Sequence, residues 1–147
     1  MKPSYLKLII NIYPPYWGTG IVVRHISPDY RDIGVQMKMR WYNRNYVKTH
    51  FGGSLYAMCD PFFMLMLMHI LGKNFVVWDK AARIDFIKPG RGTVAARFLV
   101  KEKQVQEIIR HTSGGQKYLA EFSVDIKDET GEIVARVFKT LYIRSKS

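Results

Sequence analysis

Apolar and polar residues follow one another along this chain in blocks of different period. Over residues 4–13, Leu6, Ile9, Ile10 and Tyr13 recur at helical spacing, which predicts a short amphipathic helix stopped by Pro14-Pro15. Residues 21–26 are rich in β-branched side chains and predict a strand, closed by Ser27-Pro28-Asp29. Next, Ile33, Val35, Met37, Met39 and Trp41 alternate with Gln36, Lys38 and Arg40, the period of a half-buried strand. Residues 62–71 are almost unbroken hydrocarbon, apolar around the whole helical circumference, with Gly72 placed to end the helix. Residues 75–88 read as a long strand that Pro89-Gly90 turns into another over 93–100. Residues 102–112 bring Val105, Ile108 and Ile109 onto one helical face before Gly114-Gly115. Tyr118, Ala120, Phe122, Val124 and Ile126 then alternate with polar residues. Asp128-Glu129-Thr130-Gly131 makes a hairpin turn into a closing strand over 133–144.

The order is helix, two strands, a dominant helix, two strands, a short helix, two strands. Six mostly hairpin-connected strands have one apolar face to bury, and the central helix needs cover on every side. A curved antiparallel sheet wrapped around that helix satisfies both, an α+β architecture. At 147 residues, with no repeat, low-complexity segment or linker, the chain reads as one domain, 1–147.

Composition adds a few limits. A single cysteine, Cys59, rules out a disulfide within the chain and fits a reducing compartment. The N-terminal apolar run is interrupted by Lys7 and Asn11 and has no small-residue cleavage site, so the expected location is cytoplasmic. The longest apolar run, 62–71, is too short to cross a bilayer, and no transmembrane segment is expected. The net charge is +11, and it is spread out: nine basic against four acidic residues in 1–79, fourteen against eight in 80–147. Such a field favours polyanions, whether nucleic acid, an anionic membrane or a phosphate-rich group such as coenzyme A. Without a recognition helix, zinc motif or aromatic RNA-binding strand, nucleic acid is not the expected partner. His25, His50, His69 and His111 share no ligand spacing, so no metal is expected.

The chemistry concentrates between residues 45 and 61. Gly52-Gly53 allows close backbone approach and opens the apolar helix, whose first N–H groups lack intrahelical partners and can hold an oxyanion. Seven residues beyond Gly53, Asp60 is a carboxylate at a position the pattern would otherwise make apolar. Two local readings of Asp60 stand. As an N-cap before Pro61 at N1 it would be structural. If the helix instead runs through, Pro61 frees the carbonyl of Ala57 and bends it. Cys59 points about 100° away from Asp60 and reads as core, as do Met58, Met64, Met66 and Met68.

Asn45, Gly52-Gly53-Ser54 and Asp60, set between a strand pair and a helix, resemble the hotdog-fold acyl-CoA thioesterases. The similarity is to the phenylacetyl-CoA thioesterase-like group and an uncharacterised, domain-of-unknown-function branch beside it. It extends over 20–144 by element order, with the specific motif confined to 45–61. That group shows an asparagine, then His-Gly-Gly, then an acid seven residues past the second glycine. Here Phe51 fills the histidine slot and His50 lies one residue earlier.

The resemblance implies an acyl-CoA or acyl-carrier thioester as substrate, no cofactor beyond the coenzyme A moiety of that substrate, and a homodimer or dimer of dimers. Seven helical residues separate Gly53 from Asp60 by roughly 10 Å. Reacting groups must stand within about 3–3.5 Å of their partners, so one helix cannot make the site. Two antiparallel helices can, with Gly53 of one subunit facing Asp60 of the other. On this reading the Gly53 N–H polarises the thioester carbonyl, Asp60 is general base or nucleophile, and Asn45 orients water or the carbonyl. His50, Gly52 and Ser54 line the substrate, and Lys48, Lys88 and Arg91 hold its phosphates. The alternative is a hotdog domain that binds acyl-CoA or fatty acyl chains without turnover.

Overall fold

The structure, a computed structural model, describes residues 1–146. Two short helices, Pro3–Asn11 (α1) and Pro14–Thr19 (α2), precede a hairpin of Ile21–Ile26 (β1) and Asp32–Lys38 (β2). The central helical segment is Gly52–Ala57 (α3) followed by Phe62–Leu71 (α4). After it come Phe75–Phe86 (β3), Thr93–Leu99 (β4), the helix Glu102–Thr112 (α5), Tyr118–Lys127 (β5) and Ile133–Ser145 (β6). The six strands form one sheet in the order β1-β2-β4-β5-β6-β3, antiparallel throughout. The central helices pack on its inner face, which is the hotdog arrangement.

Alternation decides that face. Ile33, Val35 and Met37 of β2, Val94, Ala96 and Phe98 of β4, Phe122, Val124 and Ile126 of β5, and Val137, Leu141 and Ile143 of β6 are all buried. Phe62, Phe63, Met66 and Leu67 of α4 press into them; the Phe63 ring lies 4.9 Å from Phe122 and 5.2 Å from Phe98, centroid to centroid. Each such fully buried side chain contributes about 1.5–3 kcal/mol. Taken as one stretch, Gly52–Leu71 is long and apolar enough to span a bilayer by length and composition, but it is broken at 58–61 and nearly half of it is buried in this core.

Three local expectations change. The Pro14-Pro15 pair ends α1 but also starts α2, since proline at the first helical position has its φ preset and no N–H to waste. Strand β2 ends at Lys38 rather than Trp41, because the Asn43 amide accepts from Arg40 N–H and donates to the carbonyls of Lys38 and Thr19, folding 39–43 into a turn. Strand β3 carries a bulge between Asp79 and Ala81, which shifts its inward phase by one residue.

The two edges of the sheet differ. At β1, the Asn11 side chain accepts from Val23 N–H and donates to Val23 O, occupying that edge from within the chain. The outer edge of the twelve-residue β3 pairs with no strand among the described residues.

Candidate functional site

The segment before α3 is folded by its own polar groups. Asn45 Oδ1 accepts from the N–H groups of Val47 and Thr49, Asn45 Nδ2 bonds Thr49 Oγ1 at 2.9 Å, and Lys48 takes a left-handed φ of 63° to close the turn. His50 is 3% exposed and is pinned to the 90–92 turn: its N–H donates to Gly90 O, and Nε2 donates to Gly92 O at 2.7 Å. Nε2 therefore carries the proton, and the buried Nδ1 is an acceptor without a hydrogen-bond partner among the described residues. Burial holds the imidazole below its ordinary pKa, against the Gly92 bond, so the ring is neutral at pH 7.

Gly52 and Gly53 follow in the first turn of α3, with Phe51 as N-cap. Neither glycine N–H meets an acceptor among the described residues. Both positions are crowded by aromatic rings. A Cβ on Gly52 would lie 3.1 Å from the Phe86 ring, and one on Gly53 only 2.5 Å from the Phe51 ring. Phe51 thus lies outward across Gly53, while His50 is turned beneath it. A cleft of about 420 Å³ opens here, lined among others by Asn45, His50, Gly52, Leu55, Phe86 and Lys88. Ser54 is buried in the first turn of α3.

The helix breaks at 58–61, as proline chemistry requires. Pro61 has no N–H to return to Ala57, and the Tyr16 hydroxyl of α2 donates to the Ala57 carbonyl instead, at 2.7 Å. Pro61 is the N-cap of α4, so Asp60 is not, and its carboxylate makes no capping bond. That carboxylate is half exposed, with Oδ1 accepting from the Tyr56 hydroxyl at 2.8 Å.

Behind Asp60 stands a residue that the sequence reading missed. Lys139 of β6 has a fully buried side chain whose Nζ donates to Tyr56 Oη at 3.1 Å and to the Asp60 carbonyl at 3.0 Å. Nζ lies 3.6 Å from Asp60 Oδ1 and 3.0 Å from Asp79 Oδ1. The Asp79 oxygen makes no hydrogen bond by geometry, so that contact is an ion pair. Burial works to lower the Lys139 pKa, but Tyr56 and Asp79 outweigh it and keep the group above its ordinary value and charged. Burial also raises Asp79, opposed by Lys139. Cys59 is fully buried and held as a thiol by burial, which leaves it inert.

The cationic residues divide. Lys88 is paired with Asp128 at 2.8 Å and with Glu132, so its charge is matched inside the chain. Lys48 and Arg91 are exposed. Among the described residues, no cluster of three or more His, Cys, Asp or Glu side chains is arranged to hold a metal ion.

Comparison with known proteins agrees with this architecture. The structure is similar to a Pseudomonas aeruginosa protein of unknown function, at 17% identity and a TM-score of 0.83 over 97% of this chain and 96% of that one. It is similar to a Haemophilus influenzae thioesterase at 14% identity and a TM-score of 0.71, over 99% and 92%. A variant of the phenylacetic acid degradation protein PaaI from Thermus thermophilus matches at 25% identity and a TM-score of 0.61, over 90% and 99%. No curated protein matches the sequence. A family described as a domain of unknown function, DUF4442, matches residues 4–143, nearly the whole chain, and the protein therefore belongs to that family, on a hotdog fold.

Proposed function

We propose that this protein hydrolyses an acyl thioester, with acyl-CoA or an acyl-carrier thioester as substrate, in sites shared between two copies of the chain. The observation that carries the reading is Asp60: a half-exposed carboxylate, held at one oxygen by Tyr56 over the buried charge of Lys139. It lies in the break that follows the helix carrying Gly52 and Gly53, whose N–H groups meet no acceptor among the described residues. The thioesterase names among the structural neighbours support the same reaction class.

In the proposed step the Gly53 N–H polarises the thioester carbonyl. Water attacks the carbonyl carbon as Asp60 takes its proton, or Asp60 attacks directly and water releases the acyl group afterwards. The C–S bond then breaks, and the departing thiolate is reprotonated. In this reading each site takes Gly53 from one copy and Asp60 from the other. The open β3 edge, whose outer side pairs with no strand among the described residues, gives the second copy a place to add its own strand. Leu55 and Phe86 supply the cleft with apolar wall for the pantetheine or acyl chain, and Asn45 and His50 shape its floor. Lys48 and Arg91 are the exposed cations for phosphate; Lys88 contributes less, being already paired.

One feature favours the second reading, a hotdog domain that binds the thioester without turnover: the Phe51 ring lies over Gly53, where an oxyanion would have to approach. Free-thiol release from acyl-CoAs of short, long and aromatic acyl groups separates the two. The expected result is turnover by the wild-type protein that falls about 10²–10⁴-fold in Asp60→Asn, with the dimer intact. Saturable binding by both proteins with turnover by neither establishes the binding reading instead. Turnover unchanged in Asp60→Asn removes this mechanism but keeps the enzyme.

A further inference from the structure

Lys139 does nothing in the steps above, although it is a buried charge within 3.6 Å of the proposed base. Burying an ammonium is expensive unless each of its interactions has a use. Part of that use is local: the N–H on the Asp60 carbonyl satisfies backbone at the helix break. The bond to Tyr56 has no such local explanation. Because Tyr56 Oη accepts from Lys139, its own proton is committed away from the lysine, and it goes to Asp60 Oδ1 at 2.8 Å. Oδ1 also faces the ammonium directly. No contact engages Oδ2 among the described residues.

We propose that Lys139, Tyr56 and Asp79 form a clamp that fixes Asp60 through Oδ1 and presents Oδ2 as the oxygen that takes the proton. Lys139 is then a positioning residue, and Asp79 sets how much of its charge Asp60 feels. The role in turnover rests on the reading of Asp60 as the base; the clamp itself does not. The titratable groups around Asp60 are Tyr56 on α3, Cys59 in the break, Tyr16 on α2, Lys139 on β6 and Asp79 on β3. Cys59 is fully buried and inert, and Tyr16 is committed to the Ala57 carbonyl. The remaining three can respond to substitution.

The split between kcat and KM gives a test. Tyr56→Phe removes the donor that fixes Oδ1, and kcat should fall about tenfold with KM little changed. Asp79→Asn leaves the Tyr56–Asp60 bond in place and should lower kcat by less. The second readout needs no activity: the ¹⁵Nζ resonance of the Lys139 ammonium in the substrate-free protein should shift on Asp60→Asn and on Tyr56→Phe.

A kcat loss in Tyr56→Phe together with a responding ammonium resonance supports the clamp. A kcat unchanged in both variants, with only the melting temperature lowered, reduces Lys139 to a structural plug and overturns it. An ammonium resonance blind to Asp60→Asn overturns it equally. If the wild-type protein shows no turnover, the thioesterase reading fails. A resonance that still responds then shows the clamp in a protein that does not use it for hydrolysis.

Discussion

At the Gly52-Gly53 end of the site, the chain is held by neutral hydrogen bonds, most of them between residues within a few positions of one another. Asn45 folds the loop from inside, and His50 anchors it to the 90–92 turn. At the Asp60 end the hold is charge, and its partners come from distant strands: Lys139 is 79 residues away, and Asp79 lies on the neighbouring strand β3. A neutral bond is worth about 0.5–1.5 kcal/mol and can be lost singly. A buried charge stripped of its partner costs several times that. The donor end should therefore tolerate substitution by degrees, and the acid end should fail as a unit.

The largest effect should come from breaking the unit on one side. Lys139→Met leaves Asp79 half-buried without its counter-charge and the Asp60 carbonyl without its donor. A loss of about 3–5 kcal/mol is expected, read as a lowered denaturant midpoint. The comparison sharpens if both charges go together. Lys139→Met with Asp79→Leu replaces an ion pair by apolar volume, and most of that stability should return, while turnover stays low because the clamp on Asp60 is gone. Recovery of turnover along with stability would mean that the charge served the fold alone.

Next in size is the donor end. Asn45→Ala removes the bonds to Val47, Thr49 and Thr49 Oγ1 in a partly exposed loop, and about 1–2 kcal/mol should be lost. The kinetic signature differs as well. A loosened cleft wall should raise KM more than it lowers kcat, whereas changes around Asp60 should act on kcat. If Asn45→Ala lowered kcat alone by 10²-fold, Asn45 would belong with the reacting groups and the division drawn here would be misplaced.

The same contrast explains what was legible in the sequence. Strand alternation and the unbroken apolar run located the sheet and its central helix, because both signals are local and periodic. The hotdog fold and the candidate Asn45, Gly52-Gly53 and Asp60 motif came from resemblance to a known family, carried by a short local stretch. The N-terminal proline pair predicts a stop and also starts α2, since one residue type serves both purposes. Lys139 left a signal that went unused: in the run Val137, Lys139, Leu141, Ile143, it is a lysine at an inward position. Asp79 left a fainter one. The bulge after it shifts the phase of β3, so Asp79 shares the inward face with Ala82 and Ile84, not with Ala81. No local pattern announces a bulge.

The smallest predicted effect belongs to His50 and tests whether the donor end is in fact neutral. Burial depresses its pKa in the folded state, so the unfolded chain takes up a proton first as pH falls. The stability this ring contributes is complete above its unfolded pKa of about 6.5 and declines as pH drops through that value toward the folded one. Denaturant midpoints measured between pH 7.5 and 5 should therefore fall faster for the wild-type protein than for His50→Gln, which keeps a donor toward Gly92 O but cannot titrate. Equal slopes for wild type and His50→Gln would mean that folding leaves the proton affinity of the ring unchanged, and a wild-type stability that rises relative to His50→Gln as pH falls would mean that the folded ring holds its proton. Nδ1 would then be a donor instead of the cleft's acceptor, and both ends of the site would have to be described as charged.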